Sequence, residues 1–331
     1  MRIDSWSSLL LAAVPASLFL LNSCAGSAHE PAEKYILVVD NSKIPYWQTA
    51  VQGLHRAAAE MKVKSELQGS DNHDPQAERE AFRRAVAEKP SGILVSPTDP
   101  GLLAPEIDSA ISQNIPVITI DSDAPESKRL FFVGTDNYNT GIMGGKLAAK
   151  LLNGKGSVVF YTINGQSNLT ERLHGYQAAF ADHTDIKVMQ VVDMNGNSDI
   201  AFDSAKKMID SKTKVDAFIC LEALSCPAVA DVVNRSGMAG KVTIIAMDTD
   251  PGTIDWINKG VISATIAQKP YTMAYYGTKL LDDLHHHAPN PLTGWDKRVF
   301  SPIPSFVDTG TFIVNKENVG TLGQQPPSAS Q

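Results

Sequence analysis

The sequence predicts an α/β protein of two doubly wound, parallel-sheet lobes joined by a hinge of three chain crossings. Three observations carry this. Short continuous apolar runs, such as those at 36–39, 117–120 and 242–247, recur along the chain, as strands buried on both faces do. Helical patterns with short connections separate them, which makes successive βα units. The runs also keep ending in an acid, at Asp40, Asp121, Glu222 and Asp248. Ligands of open α/β sheets bind beyond the carboxyl ends of the strands, so these acids read as a pocket floor. Any one of them would serve equally as the N-cap of the next helix; all four in that role alone is the poorer account.

In chain order, a strand at 36–39 comes first. The helix after Asp40 sets Trp47, Val51, Leu54, Ala58 and Met61 at three- and four-residue spacing, one apolar stripe. A helix at 78–87, a strand at 92–95 and a helix at 102–112 follow. Strands at 117–120 and 130–133 lead into a helix at 141–152. The second series has strands at 157–161, 187–192, 215–221, 241–246 and 262–266, separated by helices. A long helix at 271–284 and a strand at 311–314 end the pattern. Two series imply two lobes: residues 34–134 with 269–306, and 135–268 with 307–320. The crossings fall near Gly134-Thr135-Asp136, Ala267-Gln268-Lys269 and Asp308-Thr309-Gly310, where Gly134 and Gly310 supply backbone freedom. The deepest site is where the two strand-end crevices face one another. Residues 321–331, rich in Pro, Ser and Gln, read as a disordered tail.

Ahead of the lobes, Arg2 precedes an apolar stretch at 9–21. That length suits the core of a signal peptide better than a membrane span. The stretch ends in Leu21-Asn22-Ser23-Cys24, which resembles the lipobox of bacterial lipoproteins. The resemblance implies that residues 1–24 are an export signal, that Cys24 is lipidated, and that the protein is held to a bacterial membrane in the periplasm or at the cell surface. An ordinary secretory signal with an incidental Cys24 is the alternative. Residues 25–33, small, polar and Pro-containing, read as a flexible tether. The 29 basic and 36 acidic residues give a net charge of −7 without a basic run, which argues against nucleic acid as a partner. Cys220 and Cys226 stand close together in a compartment that permits disulfides, and either a bridge or two buried thiols fits their spacing.

Further motifs carry a family resemblance. They are Val39-Asp40 with Ile44-Pro45-Tyr46-Trp47, Ser96-Pro97-Thr98-Asp99, 116–121 (Pro-Val-Ile-Thr-Ile-Asp), 133–137 (Val-Gly-Thr-Asp-Asn), 171–176 (Glu-Arg-Leu-His-Gly-Tyr) and 264–268 (Ala-Thr-Ile-Ala-Gln). In this order the chain, from about Lys34 to Asn318, resembles type I periplasmic sugar-binding proteins of the ribose-binding type. These are the solute-binding components of ABC importers and relatives of the lactose-repressor core. The resemblance implies a monomeric, cofactor-free and metal-free binding protein, not an enzyme, that hands a sugar or polyol to an ABC permease. It implies a ligand site of Asp40, Tyr46, Trp47, Ser96 and Asp121 from the first lobe, with Arg172, Glu222, Asp248 and Gln268 from the second lobe and the hinge. The chemistry suits a sugar, whose CH faces stack on aromatic rings and whose hydroxyls pair with carboxylates, Arg and Gln.

Four positions depart from the ribose binders. Ser122 stands where they carry a sugar-clamping arginine, Glu222 where they have Asn, Met247 where they have Phe, and Ile44 where they have Asn. Ribose therefore does not carry over. An excess of acids favours a neutral sugar, a polyol or an amino-bearing ligand over a phosphorylated one. A nucleoside or polyol binder, and a sensor delivering sugar to a membrane receptor or kinase, share the same signature.

Other motifs lead elsewhere. Residues 141–147 (Gly-Ile-Met-Gly-Gly-Lys-Leu) miss the spacing and the Ser/Thr of a phosphate loop and read as helix packing. Gly165-Gln166-Ser167 lacks the second Gly of a nucleophile elbow. His285-His286-His287 lie adjacent near a helix end, so they splay apart and read as solvated surface.

Overall fold

The computed structural model describes residues 29–322, apart from 293 and 295–297. The signal segment, Cys24 and the tail from 323 lie outside the described residues. The first lobe begins with β1 (Lys34–Val39), α1 (Pro45–Met61), β2 (Lys64–Gly69), α2 (Pro75–Ala87), β3 (Gly92–Val95), α3 (Pro100–Ser112), β4 (Val117–Ile120) and β5 (Phe132–Gly134). The second lobe holds α4 (Asn137–Leu151), β6 (Lys155–Thr162), α5 (Ser167–Phe180), β7 (Asp185–Asp193) and α6 (Ser198–Asp210). It continues with β8 (Ala217–Cys220), α7 (Ser225–Arg235), β9 (Thr243–Met247), α8 (Pro251–Asn258) and β10 (Ala264–Ala267). Then α9 (Pro270–His286) and β11 (Phe306–Asp308) return to the first lobe, and β12 (Phe312–Asn315) closes the second.

The two six-stranded sheets are wound alike, in the orders β11-β5-β4-β3-β1-β2 and β12-β10-β9-β8-β6-β7. Neighbouring strands are parallel except β10 and β12. The inner strands β3, β4 and β8 are buried along their whole length, and β9 beyond its first residue, because helices cover both faces. In the first lobe α1 and α9 share one face, where Leu54, Met273, Leu281 and Leu37 meet. Their backbones come so close that a Cβ on Gly53 would lie 2.1 Å from the carbonyl oxygen of Tyr271. On the other face Phe82, Ile107 and Ile111 seal α2 and α3 against β1 and β3.

Polar side chains start several helices as their chemistry dictates. Asp74, Asp99 and Asp136 accept N–H bonds at the starts of α2, α3 and α4, and Asn197 does so for α6.

The structure departs from the sequence reading in several places. Strands β2 and β11 were not expected. The first is the polar run Lys-Ser-Glu-Leu-Gln-Gly, paired only to β1, and the second is three residues long. Edge strands need no apolar alternation on both faces. With β11 in the first sheet, that lobe extends to Asp308, so the third crossing lies at Thr309-Gly310, beyond the expected lobe boundary at 306. Gly310 is left-handed, with φ 72°. Gly134 is not. Its missing side chain makes room for the Phe132 ring, which a Cβ would approach to 2.2 Å.

Residues 29–33 are not a free tether, because Glu33 is 6% exposed and bonded to the body of the lobe. Of the three adjacent histidines, His285 and His287 face solvent, while His286 turns inward to Glu33. Cys220 and Cys226 are joined by a disulfide, with Cα atoms 5.7 Å apart. The Gly-Ile-Met-Gly-Gly stretch lies inside α4 at its crossing with α5. There a Cβ on Gly141 would meet the Arg172 carbonyl at 2.1 Å and one on Gly175 the Tyr138 carbonyl at 2.1 Å.

Candidate functional site

A cavity of about 630 Å³, counted to its open mouth, lies between the carboxyl ends of the two sheets. Asp40, Tyr46, Trp47, Ser96, Asp121, Arg172, Glu222, Asp248 and Gln268 all line it. They arrive from different elements. Asp40, Ser96, Asp121, Asp248 and Gln268 sit just past β1, β3, β4, β9 and β10, and Glu222 two residues past β8. Tyr46 and Trp47 open α1, and Arg172 projects from α5.

Arg172 is the centre of the site and is 1% exposed. Its Nη1 donates to the Leu221 carbonyl, and its Nη2 donates to Asn137 Oδ1 at 2.6 Å and to Gln268 Oε1 at 3.3 Å. Its Nε is buried without an acceptor among the described residues. A buried guanidinium N–H left unpaired costs free energy, so this donor is poised for an acceptor on a guest. The tight α4–α5 crossing holds Arg172 in this position and brings Asn137, at the start of α4, within its reach.

The four strand-end acids divide into two pairs. Asp40 is occupied by its own lobe. Its Oδ1 accepts from Ser70 Oγ at 2.6 Å and the Asp74 N–H at 2.8 Å, and its Oδ2 accepts from His73 Nδ1 at 2.5 Å. Burial pushes its carboxyl up, but these donors, His73 foremost, outweigh burial and hold it below the usual range. The same bond raises the His73 imidazole. Glu222 is occupied too. It accepts from the Leu224 N–H at 2.5 Å, from the Ser225 N–H at 3.2 Å and from the Ser225 hydroxyl, so it is tied to the turn that leads into α7.

Asp121 and Asp248 face the cavity with fewer partners. Asp121 accepts from the Tyr46 hydroxyl at 2.5 Å and, across the cleft, from Asn168 Nδ2 at 3.2 Å. Among the described residues, the Asp248 side chain accepts only from Gln268 Nε2, at 3.1 Å. Burial raises both carboxyls, and the Arg172 charge only partly offsets it; Asp248 is pushed up to about 7. Asp250, half-buried nearby, is pushed up to about 6 by burial.

Tyr46 and Trp47 meet edge to face, with ring centroids 5.0 Å apart, and form one apolar wall. Polar cavity-lining residues that the sequence reading did not place in the site include Asn41, His73, Gln166 and Asn168. His73 follows the unexpected edge strand β2, so nothing in the sequence placed it near Asp40. Asn168 is the second residue of α5, directly after Gly165-Gln166-Ser167, whose Gly marks a turn that could have been read. Beneath the Ser96–Thr98 loop, the fully buried Glu78 accepts the Thr98 N–H at 3.1 Å. Burial holds its carboxyl well above its ordinary value.

The lobes touch around this cavity. Ser167 Oγ donates to the Asp123 carbonyl at 2.8 Å and accepts from the Asp123 N–H at 3.0 Å, with Ser122 Oγ 3.2 Å away. The site thus offers acceptors from both lobes, one permanent cation with a spare donor, and an aromatic wall. That set suits a compact, uncharged, hydroxyl-rich guest.

Comparison with known proteins agrees. A family described as periplasmic binding protein domain matches residues 35–287. The solved structure of a sugar ABC transporter sugar-binding protein from Bacillus halodurans is 34% identical, with TM-score 0.78, covering 87% of this chain and 99% of that one. AraP, an arabinose-binding protein of Geobacillus stearothermophilus, is 30% identical with TM-score 0.74, covering 88% and 99%. The ribose import binding protein of Bacillus subtilis is 22% identical over 282 residues, 82% of this chain and 90% of that protein.

Proposed function

Because the chain belongs to the periplasmic binding protein family, we propose that it captures a neutral sugar or polyol between its lobes and delivers it to an ABC-type importer. The observation that carries this reading is the buried Arg172 with its unpartnered Nε, set between Asp121 and Asp248 of opposite lobes. Arg172 Nε would donate to a ring or hydroxyl oxygen. Asp248 and the remaining capacity of Asp121 would accept hydroxyl protons, and Trp47 with Tyr46 would cover a CH face. Each hydrogen bond to a charged group is worth roughly 1.5–3 kcal/mol. A few of them with the aromatic contact reach about −8 kcal/mol, a micromolar dissociation constant. Asp40, Glu222 and Ser96 shape the wall, since the bonds of Asp40 and Glu222 are already taken up by His73, Ser70 and the start of α7.

The ligand bridges lobes that share three crossings, near 134–136, 267–269 and 309–310, and so favours the closed state. A thermal-shift screen against sugars, polyols and nucleosides is the direct test. A true ligand at about a hundred times its dissociation constant stabilises by roughly 2.7 kcal/mol. A response to nucleosides alone, or to no sugar or polyol, would sink the reading.

Export and anchoring through Cys24 belong to the same proposal, supported by the apolar run before Leu21-Asn22-Ser23-Cys24. Fatty-acid labelling should mark the native protein and not Cys24→Ala; equal labelling of both would overturn the anchor.

A further inference from the structure

At the opposite end of the first lobe from the cleft, four side chains converge from two segments. His29 and Glu33 lie four residues apart just before β1, and Asp282 and His286 lie one turn apart at the end of α9. One ligating atom from each lies within 4.8 Å of all the others. His29 Nε2 is 3.0 Å from Asp282 Oδ2, and His286 Nε2 is 3.2 Å from Glu33 Oε2 and 3.6 Å from Asp282 Oδ1.

We propose that His29, Glu33, Asp282 and His286 form a binding site for a divalent transition-metal ion of the zinc type. A tetrahedral ion with bonds of about 2.1 Å sets its ligand atoms about 3.4 Å apart, close to the 3.0 Å from His29 to Asp282 Oδ2 and the 3.2 Å from His286 to Glu33 Oε2 already present. Two imidazoles with two carboxylates are a donor set that suits zinc, copper or nickel rather than calcium or magnesium. The surroundings orient the ligands as metal sites require. The Tyr35 hydroxyl donates to Asp282 Oδ1 at 2.9 Å, which leaves Oδ2 toward His29. The Glu30 N–H donates to Glu33 Oε1 at 2.7 Å, which leaves Oε2 toward His286. The partial negative charge at the end of α9 adds a further attraction for a cation.

Glu33 is nearly enclosed, while the His29 side chain keeps 29% of its exposure, so an ion has a way in. Bound metal would clamp the segment entering the first lobe onto α9, without touching the sugar cleft.

The test uses the full mature chain with any affinity tag removed, stripped with a chelator and titrated with zinc and with cobalt(II). One equivalent should bind, raising the thermal midpoint and giving cobalt the intense visible absorption of a tetrahedral site. His29→Gln and His286→Gln should each weaken zinc binding at least ~10-fold, and Tyr35→Phe should weaken it about 10-fold as an orienting partner. The paired variant His285→Gln with His287→Gln should bind as the native chain does. The cobalt spectrum of the native chain tests the site even where a variant fails to fold. The absence of saturable binding by the native chain would overturn the proposal. So would undiminished binding by the His29→Gln, His286→Gln double variant, or loss of binding on replacing His285 and His287 alone.

Discussion

Asp121 and Asp248 occupy the same place in the two lobes. Each follows the fourth strand of its winding, β4 or β9, and each takes a left-handed backbone, with φ 62° and 66°. Each donates its N–H to the neighbouring strand, Asp121 to the Val133 carbonyl at 3.1 Å and Asp248 to the Ile266 carbonyl at 2.8 Å. A non-glycine residue held there is strained by about 1 kcal/mol or more, and Asp tolerates it better than most. The surroundings differ. Among the described residues, the first lobe gives Asp121 the Tyr46 hydroxyl, with Asn168 reaching over, whereas the second gives the Asp248 side chain only the Gln268 amide. Matching backbones thus hold one carboxylate largely satisfied and the other short of donors. The lobe with the unsatisfied acid is the one whose state a guest changes most.

The largest effect should come from removing what the two acids share. Arg172→Met leaves Asp121, Asp248 and Glu222 without their buried counter-charge. Stability and ligand affinity should each fall by about 3–5 kcal/mol, measured by denaturant unfolding and calorimetry. A loss below about 1 kcal/mol would show that the acids do not depend on it.

Next come the acids themselves. Asp248→Asn should weaken ligand binding by about 2–3 kcal/mol while leaving the empty protein as stable or more so at pH 8. Asp121→Asn should destabilise the empty protein by about 1 kcal/mol, because its new amide cannot accept from both Tyr46 and Asn168. Equal behaviour of the two variants would erase the distinction between the lobes.

The pH dependence sharpens the same point. Asp248 is raised to about 7 in the folded protein from an ordinary 3.8, chiefly by burial. Its contribution to stability is therefore fully present below about pH 4 and is lost as pH rises through about 7. Denaturant unfolding of the empty protein should show less stability at pH 8 than at pH 5, and Asp248→Asn should reduce that difference.

A smaller asymmetry is covalent. The Cys220–Cys226 bridge closes a short loop around Glu222 and the start of α7. Replacing both cysteines by serine should cost the protein about 2 kcal/mol by loop-closure entropy, read from chemical melts. The smallest effect is expected from Ser167→Ala, which removes the bonds to Asp123 and should favour opening by about 1 kcal/mol. An unchanged scattering profile would show that these bonds do not hold the lobes together.

Much of this arrangement is written locally. Runs such as Val-Ile-Thr-Ile before Asp121 mark buried strands, and so their ends mark the cleft. The edges were not legible, because Lys-Ser-Glu-Leu-Gln-Gly is polar enough to pass for a loop and Phe-Val-Asp is too short to show a period. His73 was lost with β2. That Asp40 and Glu222 are held by their own loops while Asp121 and Asp248 are not depends on Ser70, His73 and Ser225. No spacing rule reveals such partners. The inward turn of His286 was hidden likewise, since its partner Glu33 lies at the far end of the lobe's sequence.

The return of α9 and β11 to the first sheet also sets the order in which the molecule can assemble. A chain emerging from its N-terminus exposes β1 to β5 long before the helix that must cover α1 and the strand that must flank β5. Roughly 135 residues intervene between β5 and α9, and all of them must emerge before the first lobe can close. Meanwhile β6 to β10 and their helices are contiguous and lack only β12 at one edge. The second lobe should therefore acquire protection from amide exchange first, and the first lobe should wait with an apolar face uncovered. During that interval the lobe that begins the chain is the one most in need of a chaperone.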